Sequence, residues 1–265
     1  MDATVTQVVR GRARARGAEL AFQVEGPREA PALLLLPGQA NSHHWWDKVR
    51  HDFTDAFRTV TFDYRGTGST RAHEEPWSTS SFAADAVAVL AAIGVERAHV
   101  YGTSMGGRVA QMLAIEHPHV VDHLVLACTS PGHAHGHERG QDVRRSLADP
   151  DPSRRRSALL HLMYTDDWVG PDSTLLGDPG MTPGATLLHL RVSGRHDAWD
   201  GLPSIVAPTL VLHGADDELS PPDNAPLLGS RIPGSRVEVV PGRHGFFDEF
   251  RAQVSPMIRE HLRGT

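Results

Sequence analysis

The feature that most constrains this chain is a succession of short apolar runs separated by helix-like stretches. "ALLLLP" (Ala32–Pro37), "TVTFD" (Thr59–Asp63), "AHVYG" (Ala98–Gly102), "HLVLAC" (His123–Cys128), "PTLVLHG" (Pro208–Gly214) and "RVEVVPG" (Arg236–Gly242) are each about one strand long and bounded by turn formers. Most are apolar throughout, the pattern of strands covered on both faces of a parallel sheet. "GAELAFQVEGP", near the start, alternates and is expected as an antiparallel edge strand. Between the runs, "SFAADAVAVLAAIG" is expected as a helix with Ser81 as its N-cap and Gly94 as its stop. A second helix is expected over "SMGGRVAQMLAIEHP", and the amphipathic C-terminal stretch should kink near Pro256. Strand alternating with helix implies right-handed crossovers and a doubly wound α/β sheet.

The rhythm fails between Ser130 and about Leu202. Pro, Gly, Asp, His and Arg abound there, and no strand-length apolar run appears. "RRRSALLHLMYT" (Arg154–Thr165) reads as helix. A stretch of this size between two strands is expected to be a lid or a small added domain.

Composition narrows the classes of function. The 265 residues carry a net charge of −6, which argues against a nucleic-acid surface. The single cysteine, Cys128, cannot form an intrachain disulfide and reads as a buried filler at a strand end. No apolar run approaches the roughly 18 residues of a membrane span. The first residues lack an apolar signal core, so no membrane partner and a cytoplasmic location are expected. The Arg–Ala alternation from Arg10 to Arg16 has no apolar face and reads as a solvated arm or strand edge.

"VYGTSMGGRVAQ" places Ser104 between an apolar run and a helix-like run, inside Gly-x-Ser-x-Gly. The five-letter pattern is weak alone, but a strand-to-helix turn around it makes it specific. Such a turn strains the residue at its apex, and Gly102 and Gly106 permit close backbone approach. The hydroxyl then stands at a helix N-terminus, where the amide of Met105 can stabilise an oxyanion. A second donor is expected from the loop "PGQANSHHWW", at the amide of Gln39. A serine hydroxyl needs a base. His244, in "PGRHGFF" between the last strand and the last helix, is placed to reach the sheet edge. A base of this kind needs a carboxylate to set its tautomer. "HGADDELSPP" offers Asp216, Asp217 and Glu218.

These segments together resemble the α/β-hydrolase family over nearly the whole chain. The resemblance rests on "GTSMGG", "DYRGTGST" (Asp63–Thr70), "APTLVLHGADDELSPP" and "GRHGFF". "RHDAWDGLPSIVAPTLVLHG" is similar to the lid exit of the small bacterial esterase, lactonase and perhydrolase branch. It implies an α/β fold with a doubly wound, mostly parallel eight-stranded sheet and a helical lid. The core would span 1–130 and 203–265, and the lid 131–202. Matched position by position, the family's nucleophile falls on Ser104, its acid on Asp217 with Asp216 as rival, and its base on His244. Many members carry His-Gly where this chain has Pro37-Gly38, so a hydrogen bond from that histidine is absent here. Asp63 and Arg65 are expected to hold their loop together instead of reacting.

The implied activity is hydrolysis of a carboxylic ester or lactone of a small molecule through an acyl-enzyme, with no cofactor. The same triad serves perhydrolysis, acyl transfer or C–C bond hydrolysis, and relatives include cofactor-free oxygenases and ligand sensors of low turnover. A dehalogenase or epoxide hydrolase would want Asp where Ser104 stands. His133, His135 and His137 alternate like metal ligands on a strand, yet no carboxylate or cysteine accompanies them, so no metal is expected. For the substrate wall, His43 is expected at the rim. On a helix, Leu160, Met163 and Tyr164 would share a face above Ser104, with Trp168 near the mouth.

Overall fold

The computed structural model describes residues 7–132, 134–170 and 173–264. Its strands are β1 (Val9–Ala15), β2 (Ala18–Glu25), β3 (Ala32–Leu36), β4 (Arg58–Phe62), β5 (Arg71–Ala72), β6 (Ala98–Thr103), β7 (Val121–Ala127), β8 (Thr209–Gly214) and β9 (Arg236–Val240). The helices are α1 (Thr79–Ala92), α2 (Met105–Glu116), α3 (Gln141–Leu147), α4 (Pro152–Met163), α5 (Pro183–Gly194), α6 (Asn224–Arg231), α7 (Phe246–Glu249) and α8 (Arg251–Leu262). Eight strands form one sheet in the order β1-β2-β4-β3-β6-β7-β8-β9, and the two-residue β5 adds a short pairing to β2. From β4 to β9 every pairing is parallel, while β2 runs antiparallel to β1, β4 and β5.

The apolar runs are buried on both faces because each lies between two layers. Successive side chains of a strand point to opposite faces. Leu34 and Leu36 of β3 therefore join a core with Phe82 of α1 and Val109 of α2, while Leu33 and Leu35 join a second core with Trp46, Phe247 and Ile258 of α8. Burial of this kind contributes on the order of 1.5–3 kcal/mol per large aliphatic side chain.

Three local expectations change. The edge strand is β1, the Arg–Ala stretch, and "GAELAFQVEGP" lies one strand inside it. Alternation there buries Ala13 against the core and leaves Arg10, Arg12 and Arg14 outward, a charged edge that resists pairing with other chains. The N-cap of α1 is Ser78, which forms a reciprocal capping box with Ser81. The C-terminal stretch breaks at Phe250, between α7 and α8, and Pro256 sits inside α8.

Among the described residues, the segment from 131 to 202 carries α3, α4 and α5 and no strand beyond an isolated bridge between Gly132 and Asp197. It is wired to the rest of the molecule. The carbonyls of Leu162 and Met163, at the end of α4, accept the amides of His244 (3.2 Å) and Gly245 (2.7 Å). His196 is buried beyond α5, its Nδ1 3.0 Å from Thr79 Oγ1.

Buried neutral histidines make this fold sensitive to acid. Burial lowers His99 from its ordinary 6.5 to about 4, and burial with repulsion from Arg108 lowers His196 to about 3. Above pH 6.5 both are neutral, folded or unfolded. Below it the unfolded chain takes up protons that the folded chain refuses, so stability is complete above about pH 6.5 and declines toward pH 4. Thermal unfolding followed from pH 7.5 to 4 should show Tm falling across that window, with a shallower fall in His196→Gln; an unchanged slope in the variant would contradict this account.

Candidate active site

The sheet's topology chooses where a site can form. The chain leaves β3 toward β4 on one side and returns to β6 on the other, so connections diverge at the carboxyl ends of β3 and β6, where open α/β sheets bind ligands. The loops bearing Gln39, Ser104, Cys128, Asp217 and His244 follow β3, β6, β7, β8 and β9 at that same edge.

Ser104 joins β6 directly to α2 with φ 55° and ψ −120°, a conformation that costs about 1–3 kcal/mol for a non-glycine residue. Its backbone is fully engaged. Its amide donates to Ala127 O (2.9 Å), and its carbonyl accepts from Gly107 N (3.0 Å) and Thr129 Oγ1 (2.8 Å). The surrounding glycines are there because nothing larger fits: a Cβ on Gly102 would strike the carbonyl of Gly106, and one on Gly106 would strike the carbonyls of Leu36 and Pro37. Among the described residues three non-glycine residues have positive φ, Ala40, Ser104 and Cys128, and all three line one cavity of about 360 Å³. Strain concentrated this way marks functional sites.

His244 lines the same cavity, as do Gln39 and Met105. Its Nδ1 lies 2.7 Å from Asp217 Oδ2, and both residues are buried. The other Asp217 oxygen accepts the amides of Leu219 and Ser220, each at 2.9 Å, which fixes the carboxylate's plane. Asp216 and Glu218 are exposed, so the carboxylate that meets His244 is Asp217.

Asp63 and Arg65 act as the sequence suggests, on loops. Asp63 Oδ1 accepts both the amide (2.9 Å) and Nδ1 (2.7 Å) of His43, and Oδ2 accepts the Ser69 amide. Burial opposes the Asp63 charge, but these bonds outweigh it and hold the group below the usual carboxylate range. They pin the end of the loop that carries Gln39. Arg65 forks onto Asp85 (2.7 and 2.8 Å) and tethers the next turn to α1. Trp45 packs beneath the Gln39 loop, donating to Thr103 Oγ1 (2.9 Å); its ring occupies the space that a Cβ on Gly38 would need.

The expected substrate wall is different. His43, Tyr164 and Trp168 are not among the residues lining this cavity. His43 is turned to Asp63. Tyr164 is the residue at which α4 ends, in extended conformation, so it leaves the helical face that would have aimed it at Ser104. Its hydroxyl instead donates to Asp248 Oδ2 (2.7 Å), and its ring stacks on Trp168 at 4.0 Å. Burial beside Asp248 raises its pKa, so the phenol remains neutral. The wall is built by Leu159, Met163, Leu175 and Leu190, from α4, α5 and the loop between them. Sequence reasoning also missed Arg108 and Arg139, which line the cavity; Arg108 stands four residues after Ser104, a spacing that places both on one helical face. Of the alternating histidines, His133 lies outside the described residues. His135 stacks on Trp199 at 4.5 Å, and the His137 backbone pairs with Asn224.

Comparison with known proteins agrees with this architecture. Residues 31–151 match the family model described as alpha/beta hydrolase fold. The chain is 31% identical to a putative carbamate hydrolase, RutD, of Variovorax paradoxus (strain S110), over 76% of this chain and 80% of that one. It is 27% identical to rhodomycin D methylesterase DauP of Streptomyces sp. (strain C5), over 80% and 83%. A crystal structure of a hydrolase from Pseudomonas aeruginosa PA01 superposes with a TM-score of 0.80 at 26% identity, covering 98% of this chain and 99% of that one. The protein belongs to the α/β-hydrolase family. No helix among the described residues is long and apolar enough to cross a membrane.

The glycine packing makes a prediction that needs no substrate. Gly106→Ala should destabilise the fold by more than about 2 kcal/mol, because the new Cβ meets backbone that cannot yield. Gly194→Ala, where nothing lies within 4 Å, is its control and should leave Tm nearly unchanged. Equal Tm values for the two variants, measured by calorimetry, would contradict the packing argument.

Proposed function

We propose that the protein is a serine hydrolase that cleaves a carboxylic ester or lactone of a small molecule. The observation that carries this reading is one cavity lined by a strained Ser104 and by His244, whose Nδ1 is tied to buried Asp217. The names of relatives, a carbamate hydrolase and a methylesterase, support hydrolysis as the reaction class.

In this reading Asp217 holds His244 with Nδ1 protonated, so Nε2 is the basic nitrogen. Nε2 takes the proton of Ser104 Oγ as the oxygen attacks the substrate carbonyl. The amides of Gln39 and Met105 hold the oxyanion, the latter aided by the N-terminus of α2. His244 returns the proton to the leaving alkoxide, and the C–O bond breaks to leave an acyl-Ser104. Water, deprotonated by His244, attacks that ester; the acid departs and Ser104 regains its proton. In a lactone the alcohol and acid stay joined in one product. The segment 131–202 serves as the lid in this scheme. Its α4 carbonyls hold the His244 loop, and Asp178 N, in the same segment, donates to Ala40 O (2.7 Å) beside Gln39. Cys128 lines the cavity, but burial pushes its thiol pKa well up, so it is no rival nucleophile.

Ser104→Ala should abolish turnover of 4-nitrophenyl acetate while Tm stays near that of the unaltered protein. Asp217→Asn should slow kcat by up to about 10⁴-fold by allowing the wrong His244 tautomer. Asp216→Asn should change kcat little. Retention of a tenth of the activity by Ser104→Ala would remove the nucleophile assignment, and the reverse ranking of the two Asp variants would remove Asp217.

A further inference from the structure

The Ser104 cavity has two kinds of wall. Leu147, Leu159, Met163, Leu175, Leu190 and Leu219 give it apolar surface, whereas Arg108 and Arg139 give it two guanidinium groups. Among the described lining residues there is no Asp or Glu. Arg108 projects from the face of α2 that starts at Ser104, one helical turn or about 5.4 Å further along the axis. It is held in place: NH1 donates to Ser193 O (2.6 Å) and NH2 to Ser130 Oγ (2.9 Å).

Two neighbouring cations in an enclosed, half-apolar space are costly unless an anion answers them. Burial lowers the Arg108 pKa to about 10 although Glu138 attracts its charge, and Arg139 lowers it further. Burial, with repulsion from Arg144, also lowers Arg139 against the attraction of Glu138 and Asp217. Asp217 is already engaged by His244, and Glu138 also faces Arg144 at 3.6 Å. His244 is a neutral imidazole and cancels no charge, so Arg108, Arg139 and Arg144 stand against Glu138 and Asp217, a single positive charge in excess. A singly charged, planar anion with two acceptor oxygens matches that excess and the guanidinium fork.

We propose that this arginine pair is a recess for a carboxylate, and that the substrate is an ester or lactone bearing a free carboxylate a few bonds from the scissile carbonyl, with its hydrocarbon part along the leucine wall. This rests on the serine hydrolase reading above for the chemistry, though not for the binding. The carboxylate supplies orientation and specificity: it anchors one end of the substrate, so the reacting carbonyl is presented to Ser104 in one direction. A neutral ester of the same shape leaves the two cations unanswered and is discriminated against.

Two measurements test it. In the first, hexanoate and the neutral hexanamide are titrated into the full-length protein at pH 7.5 and followed by calorimetry. Hexanoate should bind at least tenfold more tightly than hexanamide, and Arg139→Gln should remove most of that difference while Arg139→Lys retains part. In the second, kcat/KM is compared for 4-acetoxybenzoate and its methyl ester. The protein should prefer the anion, and Arg139→Gln should lower the anion-to-neutral ratio at least tenfold. Arg139 is the position of choice because Arg108 also ties Ser193 and Ser130 together, so its loss would disturb the fold. Hexanoate binding no better than hexanamide, or an anion-to-neutral ratio unmoved by Arg139→Gln, would overturn the recess even with ester hydrolysis intact. Arg139-dependent hexanoate binding without turnover of any ester would uphold the recess and overturn the serine hydrolase reading.

Discussion

The arrangement depends on one close approach. Between β6 and α2 the chain turns within a single residue, and the turn closes only because Gly102 and Gly106 let backbone meet backbone. Leu36 and Pro37 press on Gly106 from the neighbouring strand end, so the loop after β3 and the start of α2 come together at the same point. That contact sets the geometry of the proposed oxyanion donors, since the amide of Gln39 follows one side of it and the amide of Met105 the other. The strain at Ser104 persists because the surrounding hydrogen bonds over-determine it.

The segment between β7 and β8 is more than a cover. The end of α4 and the loop between α4 and α5 reach two sides of the candidate site. Carbonyls at the end of α4 receive the amides of the histidine loop, and the Gly177 and Asp178 amides bond Asn41 Oδ1 and Ala40 O in the loop after β3. A displacement of this segment would therefore shift the proposed base and an oxyanion donor together. The cavity it helps line is apolar on the α4–α5 side and cationic toward α2, the asymmetry on which the proposed carboxylate recess rests.

The architecture, and the segments that bring Ser104, Asp217 and His244 to one sheet edge, were legible because their signals are local. A strand needs a run of apolar residues, and an elbow needs glycine at fixed offsets from serine; both can be read from adjacent letters. Ser81, Tyr164 and the strand "GAELAFQVEGP" show where local reading ends. Ser78 and Ser81 cap α1 together, and their roles in the box are set by where the helix begins. Tyr164 follows α4 at helical spacing, but it is the extended residue at which the helix ends, and its hydroxyl bonds Asp248, 84 residues away. The alternating strand near the start is internal because the Arg–Ala stretch, without an apolar run, pairs along its outer side. Arg139 gave no signal, and that of Arg108 was only its place four residues after Ser104. A surface arginine and a cavity arginine look alike until the fold brings β7, α2 and the inserted segment around them.

The central claim is that Ser104 Oγ is the group made reactive by this geometry. The most direct measurement is labelling of the intact protein with a fluorophosphonate ester, followed by mass spectrometry of the protein and its peptides. The account predicts one adduct per chain, on the peptide containing Ser104, formed far more slowly in His244→Ala and absent in Ser104→Ala. An adduct on another residue, or rapid labelling of Ser104 in the His244→Ala protein, would contradict it.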